Sequence, residues 1–372
     1  MAWEDRRGVY NFNPGPAALP EEVLRRAQEE LPSYGGGGLS VLEMSHRSKA
    51  YDEIQARAEL GLRRLLGIPD SHRVLFLQGG ASLQFAMVPL NFIPEGGAAG
   101  YVVTGSWAEK AYQEADKVGC RAVVAASTKE EGYRRIPSWT EVQADAAWAY
   151  VHITTNNTIV GSQWQDLRHS LSIPLVADMS SDICSRPVRV EDFHLIYAGA
   201  QKNIGPAGVT VVIVREDWLA QAEEIAKARK LPTMLRYAVH AKNDSRYNTP
   251  PVFAVYLVAL VAEWTLEQGG LTAMEARNRE KAALVYGAID ESDGFYQGVI
   301  DPPSRSWMNA TFRIADAEVK KRFLEEAKEQ GFIGLNGHRS VGGIRVSMYN
   351  AVPVEACAKL RTFMDDFRRR YR

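Results

Sequence analysis

From Val74 onward the apolar positions fall into short runs, each closed by a turn and followed by a stretch long enough for a helix. The runs predict strands at Val74–Leu77, Tyr101–Thr104, Val123–Ala125, Ala149–Ile153, Leu175–Ala177, Leu195–Ala198 and Val209–Val214. Nearly continuous apolar strands alternating with helices imply an α/β fold, a mainly parallel seven-stranded sheet covered by helices. The last two strands lie too close for a helix between them, so an antiparallel step is expected there. Upstream, Leu19-Pro20 leads into a helix at about residues 21–31, and Gly35–Gly38 form a flexible loop. A long apolar helix around Val252–Gln268 stops at Gly269-Gly270. Beyond it, helices near 271–290 and 317–330 mix with strands near 309–314 and 344–348, the pattern of a smaller α+β unit. The expected organisation is an arm over 1–15 that packs on the small unit, a large domain over 16–268 and a C-terminal domain over 269–372.

Composition agrees with this picture and narrows the partners. A chain of 372 residues with 46% hydrophobic positions can bury a large core. Its net charge of -1 gives no global attraction to nucleic acid or to a membrane surface, so an anionic substrate requires local arginines. Residues 216–247, with Lys227, Arg229, Lys230, Arg236 and Lys242, read as a solvated basic face, and Arg368–Arg370 as a helix end. Cys120, Cys184 and Cys357 are odd in number and far apart, without the spacing of a zinc or redox site; no metal is expected. A reducing, cytoplasmic setting is expected, because the N-terminus is charged and no apolar run reaches about 18 residues.

Candidate chemistry gathers at the predicted strand ends. Lys202 follows the strand Leu195–Ala198 on a Gly/Pro-rich turn, Gly199-Ala-Gln-Lys-Asn-Ile-Gly-Pro206. A partly desolvated lysine loses its proton readily and becomes the amine nucleophile that Schiff-base chemistry needs, although a turn lysine is also commonplace on a surface. Asp178 closes the preceding strand, where a carboxylate faces the ligand crevice of an open α/β sheet and is suited to a pyridine nitrogen. Read alone, it serves equally as a helix cap. Gln78-Gly-Gly-Ala-Ser82 turns a strand into a helix whose free N–H groups suit a phosphate or need only ordinary capping. Trp107 follows the next strand, placed either to stack on a flat ligand or to fill the core.

The run Tyr197-Ala-Gly-Ala-Gln-Lys-Asn-Ile-Gly-Pro-Ala-Gly208 resembles the cofactor-lysine segment of the phosphoserine aminotransferases, fold type I transferases of class V. The likeness extends through Asn11-Phe-Asn-Pro-Gly-Pro16, Ser45-His-Arg47, Asn157-Thr-Ile159, Tyr247-Asn-Thr-Pro-Pro251 and Gly337-His-Arg-Ser-Val-Gly-Gly-Ile-Arg345. It implies pyridoxal 5'-phosphate as cofactor, Lys202 as the Schiff-base lysine, Asp178 at the pyridinium nitrogen, Trp107 as the stacking ring and Thr158 near the phenolic oxygen. Ala81, Ser82 and Gln201 would hold the cofactor phosphate, with Asn248 and Thr249 reaching in from the second subunit of a homodimer. His46, Arg47, His338, Arg339 and Arg345 would bind the substrate. The implied reaction exchanges the amino group between O-phosphoserine and 2-oxoglutarate, giving 3-phosphooxypyruvate and glutamate, and the resemblance leaves use of 4-phosphohydroxythreonine open. Some relatives carry an arginine where Ser82 stands, which shifts weight onto His46, His338 and Arg339. The rival activities are another class V reaction, such as a serine-glyoxylate transaminase or a cysteine desulfurase, and a non-catalytic cofactor-binding protein.

Overall fold

The computed structural model describes residues 3–372 and is built on a seven-stranded sheet. Its strands, in chain order, are β1 (His72–Leu77), β2 (Ala98–Val103), β3 (Arg121–Ser127), β4 (Trp148–Thr154), β5 (Leu175–Asp178), β6 (Leu195–Gly199) and β7 (Thr210–Arg215). Across the sheet they run β1-β7-β6-β5-β4-β2-β3. Neighbours from β3 to β6 pair in parallel, whereas β7 is antiparallel to both β6 and β1. The expected antiparallel step is therefore present, and every strand except β7 points its C-terminal end at the same edge. That edge is where open α/β sheets bind ligands.

Alternation along the strands divides the side chains between two cores. Leu75, Leu77, Tyr101, Val103, Tyr150, Val176 and Tyr197 face one way, toward the helices Gly80–Phe92, Ser106–Lys117 and Glu216–Ala228. Val74, Phe76, Val102, Val151, Ile153, Leu175 and Ala177 face the other, toward Lys49–Leu66 and Val252–Glu267. The helix Val252–Glu267 is apolar all round because it is buried all round, from Ala254 through Ala262.

Two stretches differ from the sequence reading. Residues 49–66, to which no element was assigned, form a helix whose Tyr51, Ile54, Ala58, Leu62 and Leu65 recur at helical spacing, and Ser48 caps its first turn. Residues 216–247 are not a solvated basic face. They hold the helices Glu216–Ala228 and Tyr237–Lys242, with Trp218, Leu219, Ala222 and Tyr237 buried. Trp218 stacks on Phe92 with ring centroids 3.6 Å apart. Arg229 donates to the Cys120 sulfur at 3.3 Å and Arg236 pairs with Glu223, so the stems of these cations serve packing while Lys227, Lys230 and Lys242 stay in solvent.

A third core lies between the helices Gly270–Asp290, Ala317–Glu329 and Val354–Tyr371 and a three-stranded sheet of Gln297–Gly298, Asn309–Arg313 and Ile344–Ser347. Phe12 is buried in it, and Tyr10–Asn11 pairs in parallel with Phe332–Ile333. All three cysteines are free and buried. Among the described residues, no single helix is long and apolar enough to cross a membrane.

The helices Lys49–Leu66 and Val252–Glu267 cross closely. Arg57 grips Glu263 through two hydrogen bonds of 2.7 and 2.9 Å, and a Cβ on Gly61 would stand 2.7 Å from Ala262 Cβ. Overpacking such a contact costs about 1–3 kcal/mol. Gly61→Val is therefore expected to lower the thermal unfolding midpoint, read by circular dichroism, and an unchanged midpoint would show that the crossing has slack.

Candidate active site

A cavity of about 350 Å³ opens at the C-terminal edge of the sheet. It exists because five strands end there and each delivers residues to its lining. Leu77 of β1 gives way to Gly79, whose positive φ turns the chain into the helix Gly80–Phe92; no side chain caps that helix. Gly80, Ala81 and Ser82 at the start of that helix line the cavity, and the free N–H groups of a helix start suit an anion. After β2, Trp107 occupies the second position of the helix Ser106–Lys117, tilted against Phe85 at 6.5 Å. Lys110, one turn on, lies over the Trp107 ring at 4.2 Å.

Asp178, the last residue of β5, is buried and accepts a 2.9 Å hydrogen bond from the Ser180 N–H. Burial pushes its carboxyl group up, while the Ser180 bonds and the positive charge of Lys202 pull it back. Lys202 sits three residues beyond the end of β6, and its ammonium donates to Thr158 Oγ1 at 2.8 Å. The residue is only half-buried, but its charged end points into the cavity away from bulk solvent. Burial lowers the ammonium pKa to about 8, with Asp178 opposing the shift and Arg345 reinforcing it.

Thr158 lies in the turn of a hairpin, Asn156–Asn157 paired with Ser162–Gln163, that follows β4. Asp182 supports this hairpin from below, hydrogen-bonded by Thr155 and, at 3.0 Å, by Gln163 Nε2. At Gly161, where φ is +90°, a Cβ would meet the Asn309 carbonyl at 2.6 Å, so the hairpin lies directly on the small unit's sheet. From that sheet comes Arg345, 5% exposed, donating Nη1 to the Thr158 carbonyl at 3.2 Å. Its Nε is buried without a partner, a donor aimed at nothing the chain supplies. His338 completes the rim; its Nδ1 accepts from the Ser340 N–H at 3.2 Å, leaving Nε2 to carry the proton. Burial and then the nearby Arg345, Lys110 and Arg339 charges push its pKa down.

Of the residues singled out from sequence, Ala81, Ser82, Trp107, Thr158, Asp178, Gln201, Lys202, His338 and Arg345 line one cavity. The others do not. His46 and Arg47 sit in the turn before Lys49–Leu66, in contact with each other at 3.5 Å, and Arg339 is exposed beyond the rim. Asn248 and Thr249 are also exposed; the Thr249 carbonyl takes a 3.0 Å bond from Gln78, which fixes the segment beside the anion cradle without entering it. Sequence reasoning missed Asn156, Ser180 and the arm residues Pro14 and Gly15 as lining groups. The motif Asn11–Pro16 marked the arm, but only folding shows that Tyr349 holds the Pro14 carbonyl at 2.8 Å over the cavity.

Comparison with known proteins matches residues 9–360 to the family model Aminotransferase class-V. A phosphoserine aminotransferase of Geobacillus kaustophilus is 57% identical over 363 residues, covering 98% of this chain and 99% of the relative. The solved phosphoserine aminotransferase of Bacillus circulans subsp. alkalophilus superposes with a TM-score of 0.94 at 53% identity, over 97% of this chain and 99% of that one. A pyridoxal-phosphate-bound phosphoserine aminotransferase of Trichomonas vaginalis gives a TM-score of 0.89 at 38% identity, over 96% and 99%. With its strand-end lysine and aspartate in one cavity, and with this likeness over nearly its whole length, the chain belongs to the class V aminotransferases, in the phosphoserine aminotransferase family.

Proposed function

We propose that the chain is a pyridoxal-phosphate-dependent aminotransferase that moves the amino group between O-phosphoserine and 2-oxoglutarate, and that it works as a homodimer. The observation that carries this reading is a single cavity holding a half-buried lysine with its ammonium turned inward, a buried carboxylate, an uncapped helix start and a buried arginine with a free donor. Those groups fit the cofactor one by one. The N–H groups at Gly80–Ser82 suit its phosphate, Asp178 its ring nitrogen, Trp107 its ring face, Thr158 its phenolic oxygen and Lys202 its aldehyde carbon. When bound, pyridoxal phosphate supplies a carbonyl that condenses with amines and a ring that accepts the electron pair left when a substrate α-proton departs.

The chain's own groups do the rest. Lys202, with its pKa brought down to about 8, reaches its neutral, nucleophilic form at lower pH than a solvated lysine and can take up and return the α-proton. Arg345 meets the α-carboxylate through a fork of donors, and Trp107 and the arm close the cavity against water. The phosphate end of the substrate falls to His338 and Arg339 at the rim, because Ser82 adds no cation there. We assign His46, Arg47, Asn248 and Thr249 to the cavity of a second subunit, since Arg47, Asn248 and Thr249 are exposed, His46 is half-buried beside Arg47, and all four lie outside the cavity of their own chain. The large and small units then divide at about residue 268, the arm of residues 1–15 lying on the smaller one, in a cytoplasmic enzyme. The same anion-binding groups admit 4-phosphohydroxythreonine. A desulfurase reading is disfavoured by the thiols: burial pushes Cys184 up to about 12 and raises Cys120, which removes the reactive thiolate.

The assignments separate in kinetics. Truncating one partner of a buried charge pair costs roughly 2–5 kcal/mol, a loss of about thirtyfold to several-thousandfold. Arg345→Ala should lower kcat/KM for phosphoserine, glutamate and serine alike, whereas Arg339→Ala should penalise phosphoserine and spare serine. Equal losses for phosphoserine and serine in Arg339→Ala would refute the phosphate assignment. Sharing between subunits has its own check: mixing inactive Lys202→Ala chains with inactive Asn248→Ala/Thr249→Ala chains should regenerate one intact site per mixed dimer. Activity no higher than that of either parent would count against a shared site.

A further inference from the structure

Directly beneath Asp178, on the helix-covered face of the sheet, lies a layer of buried polar side chains that the reading above leaves unused. The β5–β6 register places Tyr197 opposite Asp178, and the β4–β5 register places Thr154 opposite Asp178 and His152 opposite Val176. Paired residues of parallel strands share a face, so Asp178, Tyr197 and His152 project to one side. Tyr197 is fully buried and His152 is 2% exposed. His152 Nε2 lies 2.9 Å from the Tyr197 hydroxyl. The register sets Tyr197 beside the Asp178 carboxyl group, whose charge bears on the phenol.

A phenol has one proton and two lone pairs. Turned toward the neighbouring carboxylate, that proton leaves a lone pair of the Tyr197 oxygen to accept from the His152 Nε2–H. The histidine tautomer follows from this, with the proton on Nε2 and a lone pair on Nδ1. Nδ1 is buried without a partner, which suits a lone pair better than a second N–H. The groups facing the trio complete the electrostatics. Lys202, Asp182 and Ser180 stand around Asp178, and neutral Tyr101 and Tyr237 stand near Tyr197. Tyr101 stacks on the His152 ring at 5.2 Å, and its hydroxyl is engaged elsewhere, with Tyr150 at 2.7 Å. Burial drives His152 down to about 3 and Tyr197 well above its ordinary range, so neither changes charge at working pH and the donors keep one orientation.

We infer that Tyr197 and His152 are positioning residues: a hydrogen-bond relay, His152 to Tyr197 to Asp178, that keeps Asp178 an ionised, correctly turned acceptor for the ring nitrogen of the cofactor. Without the relay, the buried carboxylate would be held by Ser180 and by the charge of Lys202. That charge is lost whenever Lys202 gives up its proton, which its lowered pKa of about 8 makes easier. The relay supplies a donor that does not depend on the state of Lys202. The inference rests on the assignment of Asp178 to the ring nitrogen made above.

The test loads the full-length protein with pyridoxal phosphate labelled with nitrogen-15 at the ring and follows that nitrogen's chemical shift against pH, together with the dissociation constant of the cofactor. Tyr197→Phe keeps the ring packed against Phe85 and removes only the hydroxyl. It should let the ring nitrogen lose its proton at lower pH than in the parent and should weaken cofactor binding on the order of tenfold to a hundredfold, as expected for a hydrogen bond to a charged group. His152→Gln, which retains an N–H donor, should titrate close to the parent, and His152→Leu should shift in the same direction as Tyr197→Phe. A Tyr197→Phe titration that superimposes on the parent overturns the relay, whatever happens to the thermal midpoint. Asp178→Asn separates the two readings. If it shifts the nitrogen and Tyr197→Phe does not, the relay alone fails; if Asp178→Asn leaves the nitrogen unmoved, the assignment of Asp178 fails as well.

Discussion

Two cations, Lys202 and Arg345, share one cavity, and the threonine between them takes a hydrogen bond from each: Thr158 Oγ1 from the lysine at 2.8 Å and the Thr158 carbonyl from the arginine at 3.2 Å. Arginine keeps its charge in such a place, and lysine is the group that yields. Burial, reinforced by Arg345, brings Lys202 down to about 8, and Asp178 keeps the shift from going further. The surrounding structure maintains this balance. If Arg345 moved away, the lysine would behave more like an ordinary ammonium; if Asp178 were lost, the cavity would hold two positive charges with less to offset them.

Thr158 is therefore a joint between the two units as well as a partner of both cations. Its hairpin stands on the buried carboxylate of Asp182 and lies against the small unit's sheet at Gly161. A line of hydrogen bonds continues the joint: Asn156 donates to Asn309 at 2.8 Å, Asn309 donates to Ser347 at 3.0 Å, and Tyr349 holds the Pro14 carbonyl of the arm. Asn156, Asn309, Ser347 and Tyr349 are buried, so breaking one of their bonds leaves an unpaired polar atom rather than a solvated one, at a cost of about 1–3 kcal/mol. The arm, the hairpin and the strand carrying Arg345 are thus held in fixed register around the cavity.

The sheet was legible in the chain because strands buried on both faces leave long apolar runs, and the antiparallel step was legible because too few residues separate β6 from β7. Lys202, Asp178, Trp107 and Ser82 were legible for the same reason: strand ends are local features. The helix Lys49–Leu66 carries a clear apolar stripe that went unassigned, and the basic stretch 216–247 misled because charge was read without Trp218 and Tyr237, the residues that anchor it. What no local pattern shows is assembly. Pro14 and Gly15 reach the cavity across the whole length of the chain, and His46, Arg47, Asn248 and Thr249 lie outside the cavity of their own chain, so their place depends on contacts that a single sequence does not encode locally.

The central claim is that Lys202 is the residue that joins the cofactor, which no other lysine in the cavity's neighbourhood can replace. Lys110 is the nearest competitor, over the Trp107 ring, but it is exposed and sits at the rim. Reducing the cofactor-loaded protein with borohydride fixes the covalent link, and peptide mass spectrometry then locates it. The adduct is expected on Lys202 alone, and recovery of the label on Lys110 or any other lysine would contradict the account.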